Sequence, residues 1–220
     1  MSKRFSLKEL KSPDKFFKVM LKFVTYLRSN VKAYLVFSAV VVSITLAYVI
    51  INNVSEKREN KARTILFNLS LSMKDMTSEN PDDYIKKIEA ELDKLGSTDA
   101  GMEARYMLAE LYYNKKDWDK ALSYYSYLSG HVSGLLQELS IMGEAYSLEN
   151  KGDTKGALDK FQELRDATPS VYKAVSLLGI GRCYKKMGDK GKALSAYESV
   201  IVSYPDTDYA RMASIEKVGL

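Results

Sequence analysis

Residues 180–205 read IGRCYKKMGDKGKALSAYESVIVSYP. Gly181 stands three places before Tyr184, Asp189 follows at a turn, Ala193 comes next, Tyr197 lies four places on, and Pro205 closes the segment. The same order occurs twice upstream. Leu108-Ala109 precede Tyr112, and Met142-Gly143 precede Tyr146, as Ile180-Gly181 precede Tyr184. Asp117 and Asp153 stand at the turns, Ala121 and Ala157 follow, and Tyr125 and Phe161 come four residues later. The three alanines are 36 residues apart, as are Pro169 and Pro205; the first unit has Ser133 in place of proline. A fixed period of this length marks stacked supersecondary units. Glycine or alanine lets two helices cross closely, an aromatic pair fills the space between them, and proline ends the second helix. Each unit is too small to bury its own apolar face, so the units must stack. The expected fold class is all-α.

These positions resemble the tetratricopeptide repeat. The residues that carry the resemblance are Leu108, Ala109, Tyr112, Ala121 and Tyr125; Met142, Gly143, Tyr146, Ala157, Phe161 and Pro169; and Ile180, Gly181, Tyr184, Gly188, Ala193, Tyr197 and Pro205. Two departures stand out: two extra residues in the turn of the second unit, around Glu149 to Gly152, and the missing proline of the first. The resemblance covers about Met102 to Thr207 and implies a helical solenoid of about three repeats. The helix pair at 60–95 looks like a degenerate leading unit, and the segment 209–218, with Ala210, Ala213 and Ile215, like a capping helix. In that family the first helix of each pair lines a concave, partner-binding face. By register this implies Glu103, Tyr106, Glu110, Tyr113 and Asn114 in the first unit. It implies Gln137, Ser140, Glu144 and Ser147 in the second, and Val175, Leu178, Arg182, Lys185 and Lys186 in the third. Such a groove runs from acidic and aromatic to basic. Arg182, Lys185 and Lys186 are expected to project from it, where substitution removes contacts but little packing.

Upstream lies a second decisive stretch, AYLVFSAVVVSITLAYVII, from Ala33 to Ile51, with no charge, glycine or proline. As a helix it spans about 28 Å, roughly the hydrocarbon thickness of a bilayer. Its hydroxyls, Ser38, Ser43 and Thr45, can bond back to their own helix. No polar stripe marks it as a buried core helix. Residues 1–32 hold nine Lys or Arg against Glu9 and Asp14, a net +7, whereas Lys57, Arg58, Lys61 and Arg63 follow the span with Glu56 and Glu59. The basic excess places the amino end inside. The apolar run is too long for a cleaved signal peptide, and Ile50-Ile51-Asn52-Asn53-Val54 offers no small-x-small site. The reading is an uncleaved signal anchor.

Ser12-Pro13-Asp14 reads as a helix start. Phe16, Phe17, Met20, Phe23, Val24 and Leu27 then recur at helical spacing among Lys15, Lys18 and Lys22. That helix either lies on an anionic inner leaflet or runs on into the span. Ala39, Ser43 and Ala47, four apart, put small residues on one face of the span. Val54 to Met76 has no helix breaker, and Asn80-Pro81-Asp82-Asp83 starts a helix that Gly96 stops. The expected division is a basic tail with an amphipathic helix at 1–32, a transmembrane anchor at 33–51, a stalk and first packing helix at 52–79, and the repeat domain at 80–220.

Of the net charge of +5, the tail accounts for more than the whole; residues 33–220 carry −2. The basic balance therefore belongs to the tail and not to a nucleic-acid surface. With one cysteine, Cys183, no internal disulfide is possible. The single histidine, His131, lies in a turn and reads as a surface residue; Cys183 reads as a packed thiol. No glycine-rich phosphate loop follows a strand, and Gly179-Ile180-Gly181 reads as helix with close packing. No catalytic grouping, metal, cofactor or small-molecule substrate is expected. The layout as a whole is similar to the YfgM-like ancillary subunits of the SecYEG translocon. That resemblance implies a non-enzymatic, single-pass protein of the bacterial inner membrane whose repeats face the periplasm, with translocon, chaperones or exported chains as partners. A structural assembly factor for another envelope machine is the alternative, and an accessory that binds cell-wall polysaccharide a third reading.

Overall fold

The computed structural model describes residues 15–74, 81–167 and 172–220. The expected helix start at Ser12-Pro13-Asp14, the cations Lys3, Arg4, Lys8 and Lys11, and the positions Met76, Asn80 and Pro169 lie outside the described residues, as do the side chains of Lys15, Phe16, Leu27 and Met73. Among the described residues the chain forms ten α-helices and no strand. Two compact units are present, one ending at Lys57 and one beginning at Arg58.

In the first unit α1 (Lys15–Ser29) breaks at Asn30, and α2 (Val31–Lys74) starts at the next residue. The break has a local cause: the Asn30 amide donates to the Tyr26 carbonyl (3.0 Å) instead of leaving the helix ladder undisturbed. Phe17, Met20, Phe23 and Val24 are all exposed on α1. On α2 every side chain from Ala33 to Ile51 is exposed. Ser38 and Thr45 donate to the Leu35 and Val41 carbonyls (2.9 and 2.8 Å), so those hydroxyls are satisfied within the helix. α2 is long and apolar enough to cross a membrane, a property that a signal sequence near an amino terminus can share.

The second unit contains the rest of α2, then α3 (Pro81–Leu95), α4 (Asp99–Asn114), α5 (Trp118–His131), α6 (Leu135–Lys151), α7 (Thr154–Ala167), α8 (Lys173–Lys186), α9 (Lys190–Ser203) and α10 (Asp208–Val218). From α3 onward each helix packs on the next, and α10 covers α9 and α8. The pairs α4–α5, α6–α7 and α8–α9 are the three repeats. Ala62 and Leu69 of α2 join Ile85, Ile88 and Leu95 of α3 in a core that continues into Ala104, Leu108 and Tyr112. Glu59 ties α2 to the solenoid. Its carboxylate accepts the N–H groups of Asp99 and Ala100 (2.9 and 3.3 Å) at the start of α4, where the helix dipole favours negative charge.

The turn acids are helix caps. Asp117, Asp153 and Asp189 accept the backbone N–H three residues on, from Lys120 (3.3 Å), Gly156 (3.0 Å) and Lys192 (3.1 Å). The motif alanines Ala121, Ala157 and Ala193 are completely buried, and Tyr125, Phe161 and Tyr197 nearly so. The glycines of the first helices seat these rings. A Cβ on Gly143 would lie 2.5 Å from the Tyr125 ring, one on Gly179 2.6 Å from Phe161, and one on Gly181 2.4 Å from Tyr197. Tyr125 and Phe161 thus pack on the following unit, and Tyr197 on its own.

Candidate functional site

The first helices of units one and two, α4 and α6, leave a cleft of about 350 Å³ between them. Helical spacing puts Tyr106, Glu110, Tyr113 and Asn114 of α4 on one face, and all four line the cleft. Tyr125 of α5 forms its floor, and α6 supplies Leu139, Met142 and Tyr146 across from α4. The floor is set by Gly143: without a Cβ, α6 comes down onto the Tyr125 ring.

The polar groups of the cleft are fixed. Tyr125 donates its hydroxyl proton to Glu110, and the Tyr106 ring stands edge-on to Tyr125 with centroids 5.9 Å apart. Asn150 donates to the Tyr113 hydroxyl (2.9 Å), and Trp118 stands edge-on to the Tyr113 ring at 5.0 Å. Burial raises the pKa of all four tyrosines. The Glu110 carboxylate raises Tyr106 and Tyr125 further, while Arg182 opposes the rise at Tyr146. The cleft therefore presents four neutral phenol rings and one carboxylate, with no cation among the described residues of its lining. Such a surface suits flat apolar contact and attracts positive charge.

The other expected groove residues lie elsewhere. Glu103 lines a separate cleft of about 620 Å³ with Arg63, Asp99 and His131. Gln137 donates to the Ser129 carbonyl (3.0 Å). Ser140, Glu144 and Ser147 are buried. Glu144 pairs with Lys160 of α7 (3.1 Å), so Lys160 is part of the packing. Val175 is half-buried, and Leu178 belongs to the core with Ala193 and Tyr197.

The basic end of the expected groove also needs correction. Arg182 grips buried Glu149 with two bonds (Nε–Oε1 3.0 Å, Nη2–Oε2 2.7 Å), and Lys186 adds a third at 3.2 Å. Lys185 pairs with Glu216 of α10 at 3.0 Å. Burial alone pushes the Glu149 carboxyl up, but the Arg182 and Lys186 bonds outweigh it and hold the group below its ordinary value. These cations hold helices together, so their substitution removes packing as well as contacts. The residues that register transfer missed are Leu139, Met142 and Tyr146. Transfer copied the leading face of α4 onto the leading face of α6. A cleft between neighbouring helices shows the leading face of one and the trailing face of the other. The signal was present: 139, 142, 143 and 146 share one face of α6.

His131 ends α5, is exposed, stacks on Tyr127 at 4.1 Å and donates from Nδ1 to the Tyr127 carbonyl (2.7 Å). Cys183 is buried, and burial pushes its thiol up to about 11. Among the described residues no three His, Cys, Asp or Glu side chains are grouped to hold a metal ion. No curated protein matches the chain. The tetratricopeptide repeat family model matches residues 103–128 and 175–207, that is, most of α4–α5 and of α8–α9 with the turn that follows, so these segments are similar to tetratricopeptide repeats.

Proposed function

We propose that this chain is a membrane-anchored, non-catalytic scaffold that holds partner polypeptides in the α4–α6 cleft. The observation that carries the reading is that cleft: four tyrosines and one acid, open on the face formed by the first helices of two repeats. The apolar run from Ala33 to Ile51, exposed throughout, supports an anchor, and the +7 of residues 1–32 supports an amino-inside orientation with the repeats across the membrane. The layout resemblance favours the bacterial inner membrane, a periplasmic domain and work beside the Sec translocon on exported chains or their chaperones.

Photo-crosslinking tests this reading. A crosslinking amino acid is placed at Asn114, exposed in the cleft, and separately at Lys155, exposed on α7. Partner adducts are expected from Asn114 and not from Lys155. Equal adducts at both sites, or adducts at Lys155 alone, end the reading. A reporter active only outside the cytoplasm, fused after Leu220, is expected to work; activity confined to a cytoplasmic reporter removes the proposed orientation.

A further inference from the structure

The cleft has a chemistry more specific than protein binding, and the molecule contains a small version of it. Arg182 lies with its guanidinium carbon 5.6 Å from the Tyr146 ring centroid and 5.7 Å from that of Phe161, while its Nε and Nη2 bond Glu149. An arginine is thus held by aromatic rings and one carboxylate. Arg105 repeats the aromatic half of this arrangement over Tyr127, at 5.1 Å.

The α4–α6 cleft offers the same elements, and Arg182 reaches only its Tyr146 ring. Glu110 supplies the carboxylate; Tyr106 and Tyr113 supply further rings. Among the described residues its lining holds no Lys or Arg to neutralise Glu110. Tyrosine rings attract a cation placed over their faces, and a planar, weakly hydrated guanidinium suits stacking and two-point bonding to a carboxylate better than an ammonium does. A volume of about 350 Å³ accommodates one long side chain with the backbone on either side of it. We propose that the cleft is an arginine-selective pocket: it takes the side chain of an arginine from a partner polypeptide, between the tyrosine rings and against Glu110. This rests on the reading of the cleft as the partner site and names the partner's chemistry.

The test uses the full chain in detergent micelles and end-capped heptapeptides that differ only at the central residue: arginine, citrulline, lysine or glutamate. Trp118, the single tryptophan, stands against Tyr113 and reports occupancy by its fluorescence. The arginine peptide is expected to bind about tenfold more tightly than its neutral isostere citrulline, with lysine between them and glutamate weakest. Glu110→Gln keeps an acceptor for the Tyr125 hydroxyl and is expected to erase the arginine–citrulline difference. Citrulline binding as tightly as arginine in the unaltered chain overturns the proposal, and so does a lysine peptide that outcompetes arginine, or no titration by any peptide. The first comparison needs no variant, so a poorly folded Glu110→Gln does not leave the question open. If arginine selectivity fails while crosslinks still form at Asn114, only this inference falls. If the crosslinks at Asn114 are absent, the site itself is wrong.

Discussion

Arg182 and Glu149 are 33 residues apart and lie on different repeats, yet they meet through two hydrogen bonds. Removing one member of a buried pair weakens the compensation of the other's charge, so Arg182→Met, which leaves Glu149 only Lys186, is expected to cost on the order of 3 kcal/mol. The pH dependence has a definite sign. Glu149 in the folded chain lies below the ordinary glutamate value of 4.5, so the unfolded chain takes up the proton first. The stability this group contributes is complete above that value and is lost as pH falls through the folded one. In Arg182→Met, only Lys186 still opposes the effect of burial on Glu149, and the acid-side loss should flatten. Urea midpoints between about pH 3 and 6 measure this; parallel curves for the two proteins would refute it. Gly143 is the second residue-scale test. A Cβ there meets three atoms of a Tyr125 ring that is buried and held by Glu110. Gly143→Ala is expected to destabilise by about 1–3 kcal/mol from overpacking, set against about 1 kcal/mol of helix propensity gained. A raised melting temperature would show that the ring can move aside.

At the scale of elements, one turn is used three times. The residue before each capping aspartate takes a left-handed conformation: Gly152 at φ 93°, Gly188 at φ 80° and Lys116 at φ 62°. Lysine adopts that region at a cost of roughly 1–2 kcal/mol, which glycine avoids. Lys116→Gly is therefore expected to stabilise the first repeat by about 1 kcal/mol after the entropy of the added glycine is deducted. Urea denaturation of the full chain reads this, and a lowered midpoint would mean that the Lys116 side chain contributes something the turn geometry does not show. The second repeat is the irregular one. Its first helix, α6, runs 17 residues against 16 for α4 and 14 for α8, and ends at Gly152. Extra residues there are absorbed by a longer helix, with the capping aspartate kept in place.

Across the whole molecule, charge and hydropathy divide the chain at its apolar helix. The tail carries the basic excess and the remainder is slightly acidic. If α2 spans a bilayer, one arginine at its middle costs on the order of 3 kcal/mol of insertion. Val41→Arg is expected to shift the protein from the membrane fraction to the soluble or degraded pool, while Val41→Leu leaves it in place. Fractionation that finds both variants in the membrane equally would remove the anchor. Some of the ion pairs in the part of the chain after α2 link neighbouring helices, as Lys151 does with Asp119 and Lys217 with Glu198.

The sequence by itself determined the helices, their pairing into repeats and the core rings. These depend on local spacing: an aspartate caps the helix that begins beside it, an alanine lets a neighbour approach, and an aromatic residue four places on enters the gap. Such positions recur once per unit of about 36 residues and show directly as periodicity, although Tyr125 and Phe161 seat against the next unit. Tertiary structure decided which faces meet. Tyr146 enters the cleft because α6 turns its trailing face to α4, and Leu178 leaves the groove because α9 covers it. Arg182 became a strut because Glu149, one repeat earlier, lies buried beside it. Each of these depends on the rotation and offset of one repeat against the next, a quantity summed over many side-chain contacts and set by no single motif position. That is why the acidic, aromatic end of the site was legible on α4, while the ion pairs that engage Arg182, Lys185 and Lys186 of α8 were not.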